Sequence, residues 1–172
     1  MQLTDSRDIA ATADVVWAAL LNPDVLKACV PGCETMTGSP EDGFEAVVVA
    51  KVGPVSARFT GAVKLSEMHP GQSIRISGEG KGGPAGYAKG GAQVTLEPMS
   101  GGTKLTYEVE ANVGGKLAQL GSRIIDGFAK KMADEFFSRF QSTVEAPLED
   151  ETDDAETVEG EPKKGWFKRL IG

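Results

Sequence analysis

KLTYEVEANVGGKLAQLGSRIIDGFAKKMADEFFSRF, residues 104–140, changes its period half-way along. In the first part Leu105, Tyr107, Val109, Ala111 and Val113 alternate with Lys104, Glu108 and Glu110. A period of two puts the apolar set on one face of a strand. After about Gly115 the apolar residues are Leu117, Leu120, Ile124, Phe128, Met132, Phe136 and Phe140, three or four apart. That spacing predicts one face of a long amphipathic helix of roughly 30 residues, about 45 Å at 1.5 Å per residue. Ile125 and Phe137 widen its stripe.

The alternation recurs upstream. Ala46, Val48, Ala50 and Val52 form one set, and Ala57, Phe59, Gly61, Val63 and Leu65 a second. Ile74, Ile76 and Gly78, then Ala92, Val94 and Leu96, continue it. Each set faces away from charged neighbours such as Lys51, Arg58, Lys64, Arg75 and Glu97. Such patterning predicts an antiparallel sheet with one dry face. Gly53-Pro54, His69-Pro70-Gly71 and Ser100-Gly101-Gly102 read as its turns. Ahead of these strands, LTDSRDI reads as a first strand, followed by two short helices, TADVVWAALL and NPDVLKACV. Thr12 caps the first helix, and Asn22-Pro23 caps and opens the second. Apolar strands on one long helix need two layers, so the fold class is α+β.

Many inward positions are small: Ala46, Ala50, Ala57, Gly61, Gly78, Ala92 and Ala111. This pattern has two readings. Either the helix approaches the sheet closely, or an apolar cavity is left between them. A cavity would be bounded by Phe59, Gly61, Val63, Tyr107 and Val109 from the sheet. Ile125, Phe128, Met132 and Phe136 would close it from the helix. Lining atoms that lack dispersion partners regain them from an apolar guest. Tyr87, in the glycine-rich stretch 78–91, reads either as a gate at the cavity mouth or as a plain surface tyrosine.

Chemistry-bearing motifs are few. Gly78, Gly80 and Gly83 match the G-x-G-x-x-G spacing, but Pro84 and another strand pattern follow where a dinucleotide loop needs a helix N-terminus. His69 is the only histidine and sits in a turn, so no metal site and no catalytic residues are expected. Cys29 and Cys33 are too few for a disulfide framework or a zinc site. They read as reduced thiols in a cytosolic protein. MQLTDSRDIA has no basic region leading into an apolar core, so no secretory leader is expected.

The 172-residue chain has net charge −7, unevenly spread. Residues 1–144 carry −2, residues 145–161 carry nine acidic and no basic residues, and residues 163–172 carry +4. A near-neutral body without a basic stripe argues against nucleic acid. The composition divides the chain into a folded domain at 1–145, an acidic disordered linker at 146–162 and a basic tail at 163–172. As a flexible chain the linker spans about 23 Å. On a helix, Trp166, Phe167, Leu170 and Ile171 share an arc of about 140°. Lys164, Lys168 and Arg169 lie opposite, and Lys163 can snorkel from the end. This pattern fits an interfacial anchor on an anionic membrane. It also fits a short helix for a partner's groove, or a frayed tail against its own domain.

The order of strand, two short helices, six strands and a long C-terminal helix resembles the helix-grip, START-like fold. Four stretches resemble the CoxG family of that superfamily, named for carbon monoxide dehydrogenase: 15–34 with PGCE, 51–67, 78–96, and 101–125 with VGGKLAQLGSR. The resemblance implies a curved antiparallel sheet of about seven strands around the long helix. It also implies a non-catalytic accessory protein of an aerobic molybdenum carbon monoxide dehydrogenase or a related hydroxylase, peripheral on the cytoplasmic face of the cell membrane. Joined to a cavity and an anchoring tail, it leads to the expectation of a carrier. The carried ligand would be a quinone (menaquinone or ubiquinone) or a similar isoprenoid lipid, with no intrinsic cofactor. The alternatives are a recruitment factor that binds nothing small, and an enzyme acting on an apolar substrate.

Overall fold

The computed structural model describes residues 1–154, with side chains placed as far as Glu145. The chain runs β1 (Gln2–Ile9), α1 (Ala13–Leu20), α2 (Pro23–Cys29), β2 (Cys33–Ser39), β3 (Gly43–Val52) and β4 (Val55–His69). It continues with β5 (Ser73–Lys81), β6 (Tyr87–Met99), β7 (Gly102–Gly114), α3 (Lys116–Gln119) and α4 (Ser122–Asp154). All seven strands form one antiparallel sheet in the order β1-β7-β6-β5-β4-β3-β2. The first strand thus closes beside the last, and α1 and α2 carry the chain to the opposite edge. The sheet wraps the long helix, the α+β arrangement expected from the sequence pattern and the helix-grip fold that the resemblance implies.

Local signals act where the sequence places them. The Thr12 hydroxyl accepts the Val15 N–H at the start of α1, and the Asn22 side chain accepts the Asp24 N–H at 2.9 Å. Gly53-Pro54 joins Val52 directly to Val55, with Gly53 at φ +59°. That left-handed backbone suits glycine, which has no Cβ to clash.

Two boundaries differ from the sequence reading. The 115–140 periodicity predicts one helix, but the helix breaks at Gly121. Gly115 (φ +73°) and Gly121 (φ +90°) bracket α3 as a separate turn, so Leu117 and Leu120 lie on a different axis from Phe128. Periodicity counts spacing and does not register a left-handed residue between two helical runs. The second difference is at the other end. Residues 146–154, assigned by charge to the linker, continue the backbone of α4. No glycine occurs between Gly127 and Gly160, and Glu, Ala and Leu favour helix. Pro147 leaves one helical bond unmade there without ending the helix. The rest of the linker and the whole 163–172 tail lie outside the described residues.

Large side chains fill one half of the space between sheet and α4. Phe140, Val16 and Leu105 are fully buried, and Ile9, Ile74, Tyr107, Val94 and Leu96 are nearly so. Tyr107 stacks on Phe137 with centroids 4.8 Å apart, and Phe136 meets Phe137 edge-on at 4.9 Å. Thr103 is a fully buried polar side chain, and its hydroxyl donates to the Ala11 carbonyl at 2.7 Å. The cost of burying that group is met by a partner.

Candidate functional site

The other half of that space is empty, because the inward residues there are small. Across the sheet the register sets Ala46 beside Gly61, Gly61 beside Gly80, Gly80 beside Ala88, and Ala88 beside Val113. A second row runs from Gly78 through Gly90 to Ala111. Such rows hold the sheet surface back from α4. The result is a cavity of about 480 Å³, within the range of roughly 300–1,000 Å³ usual for small-ligand sites.

Every side chain lining the cavity is apolar. β3 gives Val48, Ala50 and Val52, β4 gives Phe59, and β7 gives Val109, Ala111 and Val113. From α4 come Ile125, Phe128, Ala129, Met132, Ala133 and Phe136. Met1, Leu3, Val30, Pro31, Gly80, Ala88 and Leu117 complete the wall. An all-apolar lining offers dispersion contacts and no side-chain hydrogen bond, so it selects for hydrocarbon.

Six of the ten residues read from sequence as cavity candidates are brought together here: Phe59, Val109, Ile125, Phe128, Met132 and Phe136. The other four do not line it, although Gly61 belongs to the row of small residues that opens it. Tyr107 belongs to the packed half, held against Phe137. Gly61 faces the Glu79 carbonyl, which a Cβ there would approach to 3.3 Å, and Val63 leans over Gly78. Tyr87 is 51% exposed, and its ring crosses Gly114 on the outer face of the sheet. An aromatic covering a cross-strand glycine is a sheet-stabilising arrangement, so Tyr87 is no part of the cavity wall.

The cavity candidates read from sequence leave out most of the sheet wall, although Ala50 and Ala111 are among the small inward positions named there. Val48, Ala50, Val52, Ala111 and Val113 share the inward phase already visible in the alternation. Met1, Leu3, Val30 and Pro31 carried no such signal, since they come from the chain start and from the segment after α2.

Around the cavity the titratable groups stand apart. Burial raises the Tyr107 phenol above its ordinary value, with Arg7 beside it acting in the opposite sense. The Cys29 thiol is raised mainly by burial, opposed by Thr143, whose hydroxyl lies 3.9 Å from its sulfur. Cys33 is raised by burial and lowered less by Lys27. Among the described residues no three His, Cys, Asp or Glu side chains gather as a metal site. No described helix is long and apolar enough to cross a membrane.

Residues 6–145 match the family model of the carbon monoxide dehydrogenase G subunit (CoxG). The chain belongs to the CoxG family. Among solved structures, this CoxG chain is similar to a conserved protein from Geobacillus kaustophilus, with 28% identity and a TM-score of 0.78. That match covers 84% of this chain and 95% of the other. A Thermus thermophilus protein matches at 13% identity and TM-score 0.66, over 86% of this chain and 99% of its own. Ara h 8.0201 matches at 12% identity and TM-score 0.57, over 84% and 97% respectively. These two likenesses bear on the fold alone, the helix-grip arrangement of sheet and long helix. No curated protein sequence matches the chain.

Proposed function

We propose that this CoxG protein is a non-catalytic carrier. In this reading it takes a quinone, or a similar isoprenoid lipid, from the membrane and presents it to a molybdenum carbon monoxide dehydrogenase. The family name supports a role with that enzyme. The observation that carries the ligand class is the cavity of about 480 Å³ with no polar side chain in its wall. Carbon monoxide oxidation releases electrons, and a quinone dissolved in lipid is an acceptor that water does not carry. A protein that buries the isoprenoid chain removes that obstacle, because transferring apolar surface out of water is favourable by about 25 cal/mol per Å². The basic 163–172 tail, with Trp166 and Phe167 among its cations, supplies the anchor to the cytoplasmic face of the membrane.

The test is extraction of the purified protein with organic solvent and mass spectrometry of the extract. Protein incubated with quinone-loaded vesicles and separated from them should carry quinone in near-stoichiometric amount. Protein that retains no apolar molecule, yet still brings the dehydrogenase to vesicles, would be a recruitment factor.

A further inference from the structure

One end of the folded domain collects features that the carrier reading does not by itself require. The cavity meets solvent there. A smaller recess of about 260 Å³ shares Met1, Ala111, Val113 and Ile125 with it and continues past Ala118, Gly121 and Ser122, all exposed. Three connections gather round this opening. A Cβ on Gly53, in the β3–β4 turn, would stand 3.2 Å from Ile124 on α4. A Cβ on Gly115, before α3, would stand 2.7 Å from the Gly86 Cα in the β5–β6 connection.

The tips of these connections are apolar and uncovered. Ile124 is 39% exposed, and Pro54 and Pro84 are exposed on their turns. Around them stand Lys51, Lys81, Lys116 and Arg123, exposed and in no ion pair among the described residues. Asp126 and Glu79 are the acids nearest in sequence to Arg123 and Lys81. At the opposite end of the sheet the β2–β3 turn carries Glu41-Asp42, Glu67 and Glu97 lie near the ends of β4 and β6, and Asp14 lies in the first turn of α1, with Lys104 across from Glu97 as a cation. Among these residues cations outnumber acids at the opening and acids outnumber cations at the far end, although the net charge of the domain is small.

We propose that this end of the folded domain is itself a docking face for an anionic bilayer, so that the cavity opens onto lipid. The proposal rests on the carrier reading and specifies how the domain would be oriented. An apolar ligand leaving through water would expose its chain, whereas exposed apolar tips set among cations let it pass from one apolar phase to another. The face is separate from the tail. α4 starts at Ser122 beside the opening and passes the far end at Glu145, which accepts the Ala10 N–H at 2.9 Å.

The test uses the full chain carrying Trp166→Ala and Phe167→Ala to weaken the tail. Vesicles are phosphatidylcholine alone or mixed with phosphatidylglycerol, free of quinone. With the anionic vesicles, amide exchange should slow in segments 51–56, 81–87 and 115–124. Adding Lys51→Glu, Lys81→Glu, Lys116→Glu and Arg123→Glu should weaken vesicle binding by roughly tenfold or more. Uptake of the apolar fluorophore N-phenyl-1-naphthylamine from water should persist in that variant and report an intact cavity. Unchanged vesicle binding after the four reversals, or protection in other segments, would overturn the proposal. Protection of these segments only when the dehydrogenase is added would overturn it too, and make the face a protein interface. Docking without any extractable lipid would leave this face standing and remove the carrier reading instead.

Discussion

The Arg7 guanidinium on β1 reaches the Asp134 carboxylate on α4 at 2.6 Å and lies 5.6 Å from the centre of the Phe137 ring. It ties the edge strand of the sheet to the helix that the sheet wraps. The two partners are not equally placed, since Arg7 is 22% exposed and Asp134 45%.

Arg7→Ala should therefore cost more than Asp134→Ala. Removing Asp134 forfeits that half-exposed ion pair, about 0.2–1 kcal/mol, and an exposed one to Lys130 at 3.3 Å, about 0.3–0.5 kcal/mol. Removing Arg7 forfeits that pair, about 0.5–1 kcal/mol of cation–π attraction, and the apolar cover of its stem over Phe137. Urea unfolding of the two variants and of the double variant measures the difference. A smaller loss for Arg7→Ala than for Asp134→Ala would show that the ring contact contributes nothing.

Ala111→Phe should be tolerated because it enters empty space. Overpacking a filled core costs about 1–3 kcal/mol, so a loss well under 1 kcal/mol is expected here. Leu105→Ala, in the packed half, should cost about 2–5 kcal/mol. Thermal unfolding ranks the pair, and Ala111→Phe should at the same time lose binding of an apolar fluorophore.

Gly121→Ala should destabilise by about 1–2 kcal/mol through backbone conformation alone, because no atom lies within 4 Å of an added Cβ. Gly115→Ala should cost more, since its Cβ would meet the Gly86 backbone at 2.7 Å. Chemical denaturation distinguishes them, and a smaller loss for Gly115→Ala would contradict the described corner between β7 and α4.

Stability should fall in alkali. Cys29, Cys33 and Tyr107 all have raised proton affinity in the folded state, mainly from burial. As pH climbs past the ordinary thiol value of 9.0 and phenol value of 10.0, the unfolded chain ionises first and is favoured. The stabilising contribution is complete below those values and is lost above them. Denaturant midpoints measured from pH 7 to 10.5 check this, and replacing Cys29 and Cys33 by Ala should flatten the early part of the fall.

The sequence by itself determined the elements and their faces. Val109 and Ala111 announce their inward side by alternation, and Phe128, Met132 and Phe136 announce theirs by helical spacing, because each signal is local to a few residues of chain. Thr12 and Asn22 cap the helices they precede for the same reason. Only the tertiary structure decided which inward residues surround empty space. Tyr107 and Val109 share a face two residues apart, yet Tyr107 meets Phe137 and is packed, while Val109 faces the cavity. Whether a side chain finds a partner depends on what stands across the gap. That is fixed by the register of seven strands and by the line of α4 after Gly121, which no single stretch of the chain contains. The gathering of Lys51, Lys81, Lys116 and Arg123 around one opening has the same origin, since 72 residue numbers separate the first from the last.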